Sequence, residues 1–247
     1  MVTILTPGYA PDFLEYPEGW ALQRSVHAGV VAGSRPDTLI LCEHRPVYTA
    51  GTRTRPEHRP GGSTPVVDVD RGGSITWHGP GQLIGYPIVR LPEPRQVVAF
   101  VRLLEGAIIA ALADFGITGE RIAGRSGVWV GADGRHNKIA AIGLRVASGV
   151  TMHGFAINCS NELEPYAHIT ACGIEDAGIT TLSVEAERTI TPAEFAPAVR
   201  DLLSTALVAA GIGVLRDLSP RPGPVPELTP SRTKPIARHP QHDRTPS

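Results

Sequence analysis

The stretch Arg71-Gly72-Gly73-Ser74-Ile75-Thr76-Trp77-His78-Gly79-Pro80-Gly81-Gln82 constrains this chain more than any other part of it. Four glycines and a proline fall within its twelve residues, and it runs into the apolar segment Leu83-Ile84-Gly85-Tyr86-Pro87-Ile88. Glycines this dense mark backbone that takes positive φ or that something must approach closely. Between them sit a fixed cation, a hydroxyl and a titratable ring: Arg71, Thr76 and His78. A backbone cradle with a few polar groups, leading into a buried strand, is one way a ligand site is built. A hairpin or bulge whose glycines serve only the turn has the same composition. Both readings stand until the stretch finds partners elsewhere in the chain.

Strand and helix patterns surround it. Thr38 to Cys42 is a short apolar run, the pattern of a central strand, with Cys42 as a small core residue. Glu43 to Gly51 turns off that strand into a second one; His44 receives no role from its position. Residues 52–65 read as a loop, and Pro65 to Asp70 alternate as a strand leading into the glycine-rich stretch. A helix is expected over Tyr16 to Ala32, where Trp20, Arg24, His27 and Val31 recur at helical spacing before Gly33. A second spans Gln96 to Phe115, with Val97, Val98, Val101, Leu104, Ile108, Ala111, Leu112 and Phe115 as its apolar stripe. Gly127 to Val130, Lys138 to Val146 and Val150 to Asn158 read as strands, with a turn at Asp133-Gly134. Thr191-Pro192-Ala193-Glu194 is a capping box. It opens a helix that carries Phe195, Val199, Leu202, Leu203, Ala206 and Leu207 inward and stops at Gly211. The implied fold class is α/β (α+β): one domain over residues 1–218 with a mixed, largely antiparallel sheet and flanking helices. Residues 219–247 hold eight prolines and few apolar side chains, a composition expected to stay disordered.

At 247 residues and 42% hydrophobic content, one such core is affordable. A formal charge of −1 gives no reason to expect nucleic acid as a partner. No apolar run approaches the ~20 residues that span a bilayer, and no signal peptide is visible, so no membrane role is expected. Three cysteines, an odd number, argue against a disulfide framework and for a reducing, cytoplasmic setting. Among the 23 basic residues only Lys138 and Lys234 are lysines. Lysine can surrender its proton when its surroundings favour that, whereas arginine cannot. Lys234 lies in the tail; Lys138 lies in the body.

His153, Cys159, His168 and Cys172 raise the question of a metal. His153 and Cys159 sit six residues apart on one expected strand, about 20 Å, too far to share an ion. His168 and Cys172 alone do not make a structural zinc site, so no metal is expected. Cys172, in Ala171-Cys172-Gly173-Ile174, lies outside any regular apolar run and reads as a loop thiol. A nucleophilic cysteine needs a neighbouring cation or base to form thiolate at neutral pH, and His78, His168 and Lys138 are candidates. Cys172 as an inert thiol and Lys138 as a solvated charge remain the alternative.

Taken together, Arg71 to Leu83, Asn137-Lys138-Ile139-Ala140-Ala141-Ile142-Gly143, His153-Gly154-Phe155-Ala156-Ile157-Asn158 and Cys172-Gly173-Ile174 resemble the lipoyl(octanoyl) transferase family of lipoate biosynthesis. Glu43 to Gly51 and Tyr16 to Gln23 follow its pattern too, so the resemblance spans roughly residues 8 to 215. It implies the fold shared with biotin and lipoate protein ligases. It also implies an octanoyltransferase that needs no cofactor and no metal. Cys172 would be the acyl-thioester nucleophile, and Lys138 the residue that lowers its pKa. Arg71, Gly72, Gly73, Ser74, Ile75, Thr76, Trp77 and His78 would line the acyl substrate, with Ala141, Ile142, Gly143, Gly154, Phe155 and Ala156. The implied donor is octanoyl-acyl carrier protein. The implied acceptors are lipoyl domains of 2-oxoacid dehydrogenase E2 subunits and the glycine cleavage H protein. Ala171 departs from the proline the family usually has before the cysteine. An ATP-dependent lipoate or biotin ligase, which needs no cysteine, and a non-enzymatic acyl-carrier or lipid-binding module are the rival classes.

Overall fold

A computed structural model describes residues 2–93, 96–132, 135–169 and 177–213. Cys172, the turn at Asp133-Gly134 and the proline-rich tail lie outside the described residues. The chain runs β1 (Val2–Gly8), α1 (Tyr16–Val31), β2 (Asp37–Cys42), β3 (Val47–Ala50), β4 (Val66–Asp68), β5 (Thr76–His78) and β6 (Gln82–Ile88). It continues with α2 (Val97–Ala113), β7 (Val128–Ala132), β8 (Arg135–Ala147), β9 (Val150–Asn158), β10 (Gly178–Ile179), α3 (Leu182–Glu185) and α4 (Pro192–Ala209). Seven strands form one sheet in the order β1-β2-β6-β9-β8-β10, with β7 also on β8; β4-β3-β5 form a second, small one. β1 with β2, β8 with β10 and β3 with β4 pair in parallel. The other five pairings are antiparallel, so the sheet is mixed and largely antiparallel, as the sequence implied.

Alternation along the central strands sorts side chains onto two faces. Leu39, Leu41, Leu83, Phe155 and Ile157 go to the face covered by α2 and α4, into one core with Leu104, Ile108, Phe195, Val199 and Leu203. Ile40, Cys42, Ile84, Tyr86, Ile88 and Ala156 go to the other, under Val26 and Val30 of α1. Cys42 is a buried core residue, as expected.

Three expectations need correction. The buried side of α1 is Tyr16, Gly19, Gln23, Val26 and Val30, one position away from the spacing read in sequence. Val98, placed in the apolar stripe of α2, is 71% exposed, and Phe100, Ala107 and a fully buried Glu105 face inward instead. Glu105 is satisfied there: its carboxylate meets Arg102 at 2.7 Å and Arg121 at 3.1 Å, and accepts from the Gly127 amide at 3.0 Å. Finally, Lys138 lies inside β8, which begins at Arg135, and does not open it. No helix among the described residues is long and apolar enough to cross a membrane.

Candidate active site

The glycine-rich stretch folds down onto the α1 face of the large sheet. Its amide at Gly72 donates to the Leu144 carbonyl of β8 at 3.0 Å, and the Arg71 side chain ties it to β3 of the small sheet. Its Nη1 donates to the carbonyls of Gly72 (3.1 Å) and Ser74 (2.8 Å), and its Nη2 to the carbonyl (2.7 Å) and hydroxyl (3.0 Å) of Thr49. The guanidinium fits because two glycines leave room for it. A Cβ on Gly51 would fall 2.7 Å from Nη1, and one on Gly143 would fall 3.1 Å from Cδ. Arg71 thus shapes the cradle by holding backbone carbonyls.

From Ser74 onward the strand alternates. Ser74, Thr76 and His78 face a cavity of about 190 Å³, whereas Ile75 and Trp77 turn away into a small core with Tyr48. The contiguous range read from sequence therefore divides: Arg71, Gly72, Gly73, Ser74, Thr76 and His78 line the cavity, and Ile75 and Trp77 support it from behind. Ala141 of β8, Ala156 of β9 and Ile84 of β6 stand side by side in register across the sheet. The two alanine methyls beside Ile84 leave a shallow floor. Gly143 and Gly154 also pair in register and border the cavity. Ile142 and Phe155 border it too, but their side chains join the core on the opposite face.

Lys138 is 8% exposed, with its Nζ 4.6 Å from the centre of the Trp129 ring. Its ammonium makes no hydrogen bond or ion pair with any described residue. It faces the main cavity and also a smaller one of about 30 Å³, which is lined as well by Asn158, Tyr166, Ala177 and Gly178.

Three histidines are buried close by: His78, which the resemblance placed on the acyl substrate, and His44 and His153, which received no site role. Burial pushes the His78 pKa down to about 3, with nearby positive charge adding to the effect, so its ring is neutral. Its Nδ1 lies 2.8 Å from Gln82 Oε1, and the Gln82 amide nitrogen is committed to Asn158 Oδ1 (2.9 Å) and Tyr166 OH (2.7 Å). Nδ1 must then carry the proton, and Nε2 accepts from the Thr49 hydroxyl at 3.2 Å. His44 is likewise pushed down to about 4 by burial. It donates from Nδ1 to the Leu14 carbonyl (2.8 Å) and accepts at Nε2 from Tyr86 OH (2.7 Å). His153 takes φ of 58° in mid-strand, a conformation few non-glycine residues adopt. Its Nε2 lies 2.7 Å from Asp70 Oδ1, and Asp70 also pairs with Arg145. Burial works to raise the Asp70 pKa, but the hydrogen bond and electrostatic attraction of His153 and the Arg145 guanidinium outweigh it and hold it below the ordinary value.

The structure thus gathers Arg71, Thr76, His78, Lys138, Ala141 and Ala156 around one space. Sequence reading missed Tyr16, Tyr86, His153, Arg53 and Arg125, which share it. It also missed the supporting polar chain of Thr49, Gln82, Asn158 and Tyr166. The available signal was a glutamine and an asparagine at the two ends of otherwise apolar strands.

A solved structure of LipL1 from P. falciparum in complex with lipoate superposes with a TM-score of 0.64 at 13% identity, covering 85% of this chain and 63% of that one. Lipoate-protein ligase A bound with ATP gives 0.53 at 12% identity, over 85% and 82%. The fold is therefore that of a lipoate protein ligase catalytic domain. Residues 15–204 match the family described as the lipoyl protein ligase A/B catalytic domain. An octanoyltransferase of Clavibacter sepedonicus is 58% identical over 212 residues, 84% of this chain and 91% of that protein. The chain belongs to the lipoyl protein ligase A/B family and, within it, to the octanoyltransferases, which are acyl-transferring enzymes.

Proposed function

We propose that this enzyme takes an octanoyl group from the phosphopantetheine thioester of acyl carrier protein and delivers it to a lysine of a lipoyl domain. Cys172 carries the group in between as a thioester. The observation that carries this reading is Lys138: a nearly buried ammonium without an ion-pair partner among the described residues. It faces the same small cavity as Ala177 and Gly178, which follow the segment containing Cys172. A cation in that position favours thiolate over thiol.

The thiolate attacks the donor carbonyl, the pantetheine sulfur leaves with the proton of the Lys138 ammonium, and the octanoyl chain rests over the floor of Ala141, Ala156 and Ile84. The acceptor lysine then attacks as a free amine, Lys138 takes up the proton it releases, and the amide forms as Cys172 departs as thiolate. Thioester to amide runs downhill, so no ATP is consumed. A ligase of the same fold would activate a free acid with ATP and would need no cysteine.

Intact mass after mixing enzyme with octanoyl-acyl carrier protein tests the reading. One octanoyl group should appear on the wild type, leave with hydroxylamine, and be absent from Cys172→Ala. Lys138→Arg should lose activity nearly as completely as Lys138→Ala, because arginine keeps the charge and cannot exchange the proton. Transfer that requires ATP, or that survives Cys172→Ala, would turn the assignment toward the ligase.

A further inference from the structure

Four residues face both cavities where they meet: Thr76, Lys138, Ala141 and Ala156. The two alanines form a cross-strand pair and offer only methyl groups. The polar side chains at the junction are therefore the Lys138 ammonium and the Thr76 hydroxyl. Thr76 is 6% exposed, and its hydroxyl makes no hydrogen bond with any described residue. Its neighbours differ. Thr49, directly opposite on β3, uses its hydroxyl both as acceptor from Arg71 and as donor to His78. His78, next on the same side of β5, has both ring nitrogens engaged. Ser74, the preceding residue on that side, is buried with its Oγ unpartnered. Buried hydroxyls without partners are unusual and costly. Ser74 leaves one such hydroxyl, and two residues further on Thr76 presents a partnerless hydroxyl to the same cavity beside Lys138; together they point to a ligand that brings oxygen acceptors.

We propose that Thr76 is a catalytic residue whose hydroxyl donates a hydrogen bond to the acyl carbonyl oxygen as that oxygen becomes an oxyanion. The inference rests on the thioester reading above. In the first half-reaction the sulfur lone pair forms the C–S bond and the carbonyl π pair moves onto oxygen. Thr76 holds that charge without giving up its proton. Collapse re-forms the carbonyl and expels the pantetheine sulfur, which takes the proton of the Lys138 ammonium. In the second half-reaction the amine nitrogen attacks the same carbon and the same oxygen bears the charge. Cys172 then leaves as thiolate while the nitrogen loses a proton to the Lys138 amine. Both steps place an oxyanion beside Lys138, so one donor serves both. A donor aimed at developing charge acts on kcat and leaves ground-state binding alone.

Single-turnover acylation by octanoyl-acyl carrier protein and deacylation by a lipoyl domain should be followed separately in wild type, Thr76→Val, Thr76→Ser and Ser74→Ala. Thr76→Val keeps the shape and strand preference of threonine and should slow both half-reactions by about 100-fold. It should leave KM for the donor and the melting temperature unchanged, and Thr76→Ser should restore most of the rate. If Thr76→Val does not fold, Thr76→Ala is compared with Thr76→Ser in the same way. Wild-type rates in the Thr76→Val or Thr76→Ala enzyme would overturn the proposal. So would a loss confined to acylation with a raised KM, or a Thr76→Ser enzyme as slow as the valine variant. Ser74→Ala reproducing the double loss while Thr76→Val does not would move the role to Ser74. An absence of any wild-type adduct would overturn the thioester reading together with this inference, and is distinguishable because it precedes the variants.

Discussion

Arginine carries its N–H donors in a rigid planar fork, and at position 71 that fork grips three carbonyls and a hydroxyl belonging to two separate segments. Lysine offers a single ammonium on a flexible stem and cannot reach both segments at once. Arg71→Lys should therefore loosen the cradle although charge is kept. The expected loss is about 2 kcal/mol in urea unfolding, with several buried acceptors left unsatisfied. KM for the octanoyl donor should rise about tenfold, on the scale of 1.4 kcal/mol per factor of ten. A variant with the wild-type unfolding midpoint would show that the carbonyls are satisfied without the fork. Sequence pointed to Arg71 as a residue of the site, but its main partner lies 22 residues away, on a strand whose pairing no local pattern displays. The same applies to His78, whose tautomer is set by Gln82 and, through it, by Asn158 and Tyr166.

At the scale of elements, the cavity exists because three neighbouring strands present small or moderate side chains in one row: Ala141, Ala156 and Ile84. Enlarging the central one should fill the slot without crowding the core on the opposite face. Ala156→Val should reduce octanoyl acylation by ten-fold or more, since each methylene's worth of apolar contact is worth roughly 10–200-fold in rate. Butyryl transfer should suffer less, and unfolding free energy should fall by about 1–3 kcal/mol, because Ala156 also packs in the core under α1. Equal losses for both chain lengths would mean that the row does not hold the acyl chain. The strands and long helices were legible because their periodicity is local. The N-cap half of the box at Thr191 forms, its hydroxyl accepting from the Glu194 amide at 3.2 Å, while the Glu194 carboxylate pairs with Arg188 at 2.9 Å and does not close the box. The side each helix buries was less so. α2 is apolar over most of its circumference, so hydropathy could not choose between Val98 and Phe100. Nor could it foresee that Glu105 is drawn inside to meet Arg102, Arg121 and the Gly127 amide. The small β4-β3-β5 sheet was legible as separate strands but not as a separate sheet, because pairing is decided by tertiary position.

Across the whole molecule, two layers of helices on one sheet leave its α1 side with a polar interior: His44, His78 and His153 are all buried there. For His44 and His78 the folded-state pKa values, about 4 and about 3, lie below the unfolded value near 6.5. Between those limits the unfolded chain binds more protons than the folded one, so stability rises with pH. The stabilisation is complete above about pH 6.5 and is lost progressively as pH falls toward the folded values. At pH 5 the unfolded state gains about 2 kcal/mol from each of the two histidines relative to neutral pH, at about 1.4 kcal/mol per pH unit. His153, whose pKa is also lowered, mainly by burial, adds in the same direction. Urea unfolding at pH 7.5 and pH 5 should therefore show a loss of about 4 kcal/mol or more. His44→Gln should lose about 2 kcal/mol less over the same interval, whatever its stability at pH 7.5. The comparison within one variant cancels the cost of the substitution itself. A flat stability from pH 7.5 to pH 5 would require both rings to be protonated in the folded protein. That would contradict the hydrogen bonds in which each Nε2 acts as acceptor, from Tyr86 at His44 and from Thr49 at His78.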